Sequence, residues 1–371
     1  MLEEIPFELP ELGREPDQVF SQVSNLIKTH SADIGAAWIM AHMDPPTPEI
    51  AAKVVGLNAE YNQNLLHPDL SPLATVVEKR VIDWLLPYFG MTDGHFCAGS
   101  TIANLTAIWC ARKHGAKTVV ASKDAHISVA KAADILGMKL DTVAVDSAGK
   151  LNRDKLTNLK EACLVLTAGT TGRGAVDDLS PSGALWTHVD AAWAAPLRLT
   201  KYSDILDGIE KADSVAISAH KWFYQPKDSA LVLFKDKKAL RHISYGGSYL
   251  AAPNVGVQGS RGAAAIPLMA TLMAWGRSGL AQRIEKSMAD AEKLADFLRT
   301  HDATELKQKP ETAVVTWRPK RKEIKGVLAA LADTSSQTQI DDEVWVRQVA
   351  ANPFIEVDLI ILKIKGYVES A

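Results

Sequence analysis

Two residues of opposite charge, Asp190 and Lys221, each follow a short apolar run in a chain of 371 residues. Trp186–Val189 ends on Asp190, and Ser214–Ser218 leads to His220 and Lys221. A third run, Ala230–Phe234, comes next. Short β-rich runs separated by longer segments predict a mostly parallel sheet. In such sheets chemistry collects at the carboxyl ends of the strands, which is where both residues would lie. A lysine amine there can condense with an aldehyde, and a carboxylate beside it can hold a proton on a ring nitrogen. The pair alone also fits a salt bridge, or an N-cap aspartate near a solvated lysine.

Aldehyde capture plus an anion at a ring nitrogen is what pyridoxal 5'-phosphate (PLP) requires. Its aldehyde needs a lysine, and its pyridine nitrogen needs an anion to stay protonated and draw electrons. The surrounding residues sharpen this. H-V-D-A-A-W at 188–193 and S-A-H-K-W at 218–222 resemble the signature of the group II PLP-dependent amino acid decarboxylases. These include the glutamate, aromatic amino acid, cysteine sulfinate and diaminobutyrate decarboxylases. The resemblance implies that Asp190 pairs with the ring nitrogen and Lys221 carries the cofactor, with Ser218 and His220 beside it.

Further motifs follow the same family in order. The turn Ala98-Gly99-Ser100-Thr101 opens a helix containing Ala103, Leu105, Ile108 and Trp109. Free N–H groups and a positive dipole end suit a phosphate, although an ordinary N-cap reads the same way. The family has its phosphate-binding G-S-x-E-A turn here, with Glu often standing where this chain has Ile102, so Ser100 and Thr101 are implied phosphate donors. His126, in A-H-I-S, is implied to stack on the cofactor ring. Thr171, or Thr170, of G-T-T would lie against the cofactor. Ser260 of G-S-R would reach the phosphate of a neighbouring subunit. Arg347, in V-R-Q-V-A-A-N-P, would meet the substrate carboxylate, which its fork suits; an exposed strand arginine is the plainer reading. The loop A-H-M-D-P-P-T-P-E-I-A makes His42, Asp44 and Thr47 substrate-pocket candidates. Tyr245 and Tyr249 are the tyrosines available to replace the mobile-loop tyrosine of the aromatic amino acid decarboxylases.

These residues need elements to hold them. Helical spacing marks Asp17–His30 and, after Ser71-Pro72, a stripe of Leu73, Val76, Val77, Val81, Leu85 and Leu86 expected to be core. Strands are expected at Thr118–Ala121, Leu140–Val145 and Ala162–Thr167, with helices over 123–138 and Arg153–Glu161. A long amphipathic helix over 276–301 leads to a strand at Ala313–Trp317 and a helix at Glu323–Leu331. A second strand carries Arg347, and a helix with Ile360, Ile361, Ile364 and Val368 ends the chain. The expected architecture is α/β, with the type I PLP-dependent transferase fold that the resemblance implies. Residues 1–60 would form an arm, 61–285 a large PLP-binding domain with a mostly parallel sheet, and 286–371 a small α+β domain.

Composition narrows the rest. A net charge of −3 gives no reason to expect nucleic acid or an anionic membrane as partner. No run of 18 apolar residues exists, and the acidic start lacks a signal-peptide pattern, so cytoplasm is expected. Cys97, Cys110 and Cys163 have no metal-ligand spacing and fit a reducing compartment. The expected activity is decarboxylation of an L-amino acid to its amine by a homodimer with shared active sites. Alternatives are an aminotransferase, an aldehyde-forming amine oxidase or a carbon–carbon lyase on the same fold, or a non-catalytic PLP-binding relative.

Overall fold

The computed structural model describes residues 5–180, 183–248 and 250–369. A seven-stranded sheet forms its centre, in the order β1-β7-β6-β5-β4-β2-β3. The strands are β1 (Asp93–Cys97), β2 (Thr118–Ser122), β3 (Lys139–Val143), β4 (Ala162–Thr167), β5 (Trp186–Asp190), β6 (Ser214–Ser218) and β7 (Ala230–Phe234). β2 through β6 pair in parallel, while β7 runs antiparallel between β1 and β6. The third apolar run is therefore the antiparallel member of an otherwise parallel group.

Residues of β4 through β7 are buried throughout, as expected of strands covered on both faces. Alternation then sorts their side chains. Leu164, Leu166, Val189, Val215 and Ile217 join the core on one face. Cys163, Val165, Ala216 and Val232 join the core on the other. Helix α1 (Pro16–His30) and α2 (Glu49–Tyr61) precede α3 (Pro72–Phe89), which packs beside β1. Helix α4 (Ser100–Lys113) crosses β6 and β7, and α5 (Ile127–Ile135) leans on α4.

Helix α6 (Ala265–Thr300) breaks at Gly276, where φ 62° and ψ 177° suit glycine. The expected start of the long helix at 276 is thus a break between two helical segments. Beyond it a four-stranded antiparallel sheet is ordered β10-β11-β13-β12. Its strands are β10 (Thr304–Leu306), β11 (Val314–Pro319), β12 (Ser336–Ile340) and β13 (Glu343–Val349). The helices α7 (Ile324–Ala330) and α8 (Val357–Glu369) complete this small antiparallel-sheet unit. A minor hairpin, β8 (Ser244–Tyr245) with β9 (Asn254–Val255), lies between the two sheets in sequence.

Three expectations need correction. Residues 153–161 form no α-helix but two single turns, Arg153–Lys155 and Leu159–Glu161. Asn158 sits between them at φ 55°, a left-handed conformation that interrupts a helix. Not all of the α3 stripe is core: Val77, Val81 and Leu85 are buried, but Leu73 is 57% and Val76 63% exposed. Strand β3 stops at Val143, and Val145 makes only an isolated bridge to Leu151.

Candidate active site

Asp190 ends β5, and Lys221 follows the end of β6, the adjacent parallel strand. Thr167 ends β4 and pairs with Asp190 on the opposite side. Three strand ends thus open onto one narrow cleft, lined by Ser100, His126, Thr167, Gly169, Thr171, Asp190, Ala192, Trp193 and Lys221. Five residues singled out in the sequence, from five separate segments, meet here: Ser100, His126, Thr171, Asp190 and Lys221.

The buried Asp190 carboxylate accepts from Asn104 Nδ2 at 2.8 Å and from the Ala192 amide at 3.1 Å. Burial lowers the pKa of Lys221, while the charges of Asp190 and Asp44 oppose that shift. A lowered pKa favours the free amine, the form that attacks an aldehyde. His126 caps α5: its Nδ1 accepts from the Ser128 amide at 3.2 Å. Burial holds its pKa down, so the imidazole is neutral near pH 7.

The remaining walls are shaped by small residues. Gly169 has φ 96°, and a Cβ there would meet Trp193 Cδ1 at 2.8 Å. Trp193 in turn stacks on Trp222 with ring centroids 4.0 Å apart. In the G-T-T turn, Thr170 Oγ1 is occupied with the Ala175 amide at 3.0 Å, leaving Thr171 as the threonine of that pair on the cleft. Gly99, at φ 152°, precedes α4, whose first turn directs free N–H groups toward the cleft edge at Ser100.

Other candidates lie around this cleft rather than on its lining. Thr101 is exposed on the first turn of α4. Ser218 is buried at the end of β6, 3.4 Å from His220 Nε2. His220 has its pKa pushed down to about 4, by burial first and then by Lys227 and Lys221. Asp44 is ion-paired with Lys227, and His42 and Thr47 are exposed on the same proline-rich loop. Ser260 is exposed, and its Oγ accepts from Asn64 Nδ2 at 3.1 Å. Tyr245 stacks on Trp109 with ring centroids 5.9 Å apart, and Tyr249 lies outside the described residues.

Arg347 is buried on β13. It donates from Nε to Ser336 Oγ at 3.0 Å, from Nη1 to the Thr171 carbonyl at 2.9 Å and from Nη2 to the Ala41 carbonyl at 3.2 Å. It therefore ties the small sheet to the G-T-T turn and the proline-rich loop, with two of its five N–H donors left over.

Sequence reasoning passed over Asn104, Ser128 and Thr167. Asn104 carried a readable signal, since it is a polar residue within the apolar stripe of α4. Thr167 carried the same strand-end signal as Asp190.

The donor set fits PLP. Thr167 Oγ1 is buried with no hydrogen-bond partner among the described residues, and the residue lines the cleft beside Asp190. Comparison with known proteins agrees. Residues 1–320 match the family model described as "Pyridoxal-dependent decarboxylase conserved domain". The L-2,4-diaminobutyrate decarboxylase of Rhizobium meliloti is 30% identical over 352 residues, covering 84% of this chain and 70% of its own. The aspartate 1-decarboxylase of Aliivibrio fischeri is 29% identical over 390 residues, covering 87% and 71%. The structure of Oryza sativa TDC with PLP and tryptamine superposes with a TM-score of 0.88 at 18% identity, covering 99% of this chain and 90% of that one. At that identity the likeness speaks for the fold. Together, the matched family model and the curated relatives show that this chain belongs to the group II PLP-dependent decarboxylases and is a carboxy-lyase acting on an amino acid with PLP as cofactor.

Proposed function

We propose that Lys221 carries the PLP aldehyde, Asp190 holds the proton on the pyridine nitrogen, and His126 covers one face of the ring. One observation carries this reading: Asp190 ends β5, Lys221 follows the end of the adjacent parallel strand β6, and both line one cleft with His126. When bound, PLP supplies a conjugated ring that takes up the electron pair released as the carboxylate leaves as carbon dioxide. The chain's part is to place groups around that ring. Lys221, with its lowered pKa, accepts and returns protons at Nζ. Asp190 is fixed by Asn104 and Ala192 in a buried site. Ser100, Thr101 and the first turn of α4 hold the phosphate, Thr171 lies against the ring, and Ser218 and His220 position the lysine segment.

Substrate binding falls to Arg347, His42, Asp44 and Thr47. The two uncommitted donors of Arg347 meet the substrate carboxylate, and its three internal bonds keep the fork in place. Asp44, close enough to act on the charges of both Lys221 and His220, borders the same space.

The active form is a homodimer with shared sites. Helix α1 buries none of its residues, and Phe20 and Ile27 are 74% and 59% exposed. Leu73 and Val76 of α3 are exposed too. Apolar surface on this scale seeks a partner. Ser260, away from the cleft of its own chain, then serves the phosphate of the neighbour. The arm is residues 1–60, the large domain 61–285 and the small domain 286–371. A cytoplasmic location fits the three buried free cysteines. Among the described residues no helix is long and apolar enough to cross a membrane.

The proposal is tested by incubating the purified protein with PLP and each of the twenty amino acids plus diaminobutyrate, and reading carbon dioxide and amine. One substrate giving both in equal amount supports it. Keto acid as the main product contradicts it.

A further inference from the structure

Asn104 sits at the junction of a buried hydrogen-bond network that reaches both Asp190 and His126. Its Nδ2 is 2.8 Å from Asp190 Oδ2 and 2.9 Å from Ser128 Oγ. Its Oδ1 is 3.0 Å from His188 Nε2. On the far side of the ring, His188 Nδ1 is 2.9 Å from Ser214 Oγ and 3.2 Å from the Ser214 carbonyl oxygen, and the Ser214 hydroxyl accepts from Trp186 Nε1 at 2.9 Å. On the near side, Ser128 Oγ is 2.8 Å from His126 Nδ1.

The direction of every proton in this network follows from one charge. An ionised carboxylate only accepts, so Asn104 must turn its amide nitrogen toward Asp190. Its carbonyl oxygen then faces His188 and requires a proton on Nε2. Full burial keeps His188 neutral, so with the proton on Nε2 its Nδ1 has none: the Ser214 hydroxyl at 2.9 Å donates to it, and the Ser214 carbonyl, 3.2 Å away, takes no proton from this ring. The second amide hydrogen of Asn104 goes to Ser128 Oγ. That oxygen, already accepting, sends its own proton to His126 Nδ1. The Ser128 amide points at the same nitrogen from 3.2 Å. Two donors aimed at Nδ1 leave it without a proton.

We infer that Asn104 and Ser128 are positioning residues that fix His126 as the Nε2–H tautomer, so that its free edge presents a donor to the cleft. His126 Nε2 has no hydrogen-bond partner among the described residues, and the residue lines the cleft. A donor there attracts the carboxylate oxygens of an amino acid, whereas a lone pair repels them. Through Asn104 the same network orients Asp190, so the anion at one side of the site and the imidazole at the other share one proton arrangement. This inference rests on the roles proposed above for Asp190 and His126.

The test is 15N NMR of the full-length, 15N-histidine-labelled protein, recorded with and without PLP. The His126 signals are assigned by their loss in His126→Asn. A proton on Nε2 alone is expected in the wild type in both samples. Ser128→Ala removes one of the two donors to Nδ1, and the Nδ1–H population should rise. Asn104→Asp places an acceptor beside Ser128 Oγ, which turns that hydroxyl away from His126 and should raise the same population further. With a substrate, Ser128→Ala should lower kcat about five-fold, the worth of one ordinary hydrogen bond, with KM changed less than roughly two-fold. A wild-type His126 protonated on Nδ1, or a tautomer unchanged in both variants, overturns the inference. Because the tautomer is read without substrate, failure of every decarboxylation assay would count against the functional reading and leave this result standing.

Discussion

Arg347 Nη1 donates to the carbonyl of Thr171 at 2.9 Å, joining the small antiparallel sheet to the turn beside Lys221. The same guanidinium holds Ala41 and Ser336. A single side chain thus spans three segments that wall the site. Lysine has one compact ammonium and cannot reproduce this planar, three-way fork. Arg347→Lys should therefore raise KM and lower kcat/KM by about ten-fold or more, since a charged hydrogen bond to each neighbour is weakened or lost. It should also raise the yield of keto acid and pyridoxamine phosphate, because a loosely held carboxylate is misoriented. The ratio of carbon dioxide to keto acid from one labelled amino acid measures this. A variant with an unchanged ratio and KM would remove Arg347 from substrate binding.

Asp190→Asn should retain the fold and some cofactor while losing about a hundred-fold or more in kcat, the scale seen when a buried electrostatic stabiliser is removed. The amide keeps the shape but not the charge that holds a proton on the ring nitrogen. Circular dichroism and cofactor stoichiometry report the fold, and steady-state rates report the role. A rate within a few-fold of the wild type would contradict the assignment.

Acid should destabilise the protein through its buried histidines, opposed in part by Asp177, whose carboxyl pKa is pushed up to about 6 by burial. Burial pushes His188 down to about 4, and burial with two nearby lysines pushes His220 down to about 4. In the unfolded chain both take up a proton near the ordinary histidine value of about 6.5. At these two histidines the unfolded state therefore binds more protons between about pH 6.5 and 4, so their contribution to stability falls as pH falls through that window. His188 alone contributes on the order of 3 kcal/mol to this loss. Urea unfolding at pH 7 and pH 5 measures it, and His188→Gln should flatten the acid limb. An acid limb unchanged in His188→Gln would show that His188 is not held neutral.

Association can be tested at α3. Val76→Glu puts a charge on an exposed apolar position without touching the core residues Val77 and Val81. Sedimentation should show a dimer for the wild type and a larger monomer fraction for the variant, with activity following the dimer. An active wild-type monomer would refute a shared site.

Much of this arrangement was legible because strand ends carry their own punctuation. The apolar runs before Asp190 and Lys221 marked β5 and β6, and the spacing fits adjacent parallel strands. The helix expected over 123–138 is found as the shorter α5, with His126 as its cap. What stayed hidden depends on tertiary context. The sequence S-Q-T-Q-I does not look apolar enough for a strand, yet β12 forms because Asp341 and Asp342, both at positive φ, turn the chain back onto β13. Leu73 and Val76 share the helical period of the true core residues, and only the neighbouring elements decide which face is covered. The bonds of Arg347 to Ala41 and Thr171 join positions about 300 and 180 residues away, which no local pattern encodes.

The most direct measurement is to reduce the cofactor-loaded enzyme with borohydride, digest it and find the modified peptide by mass spectrometry. Lys221 should carry the phosphopyridoxyl group in stoichiometric amount, and Lys221→Ala should carry none at any position. Label fixed to another lysine, Lys227 included, would contradict the account of the whole site.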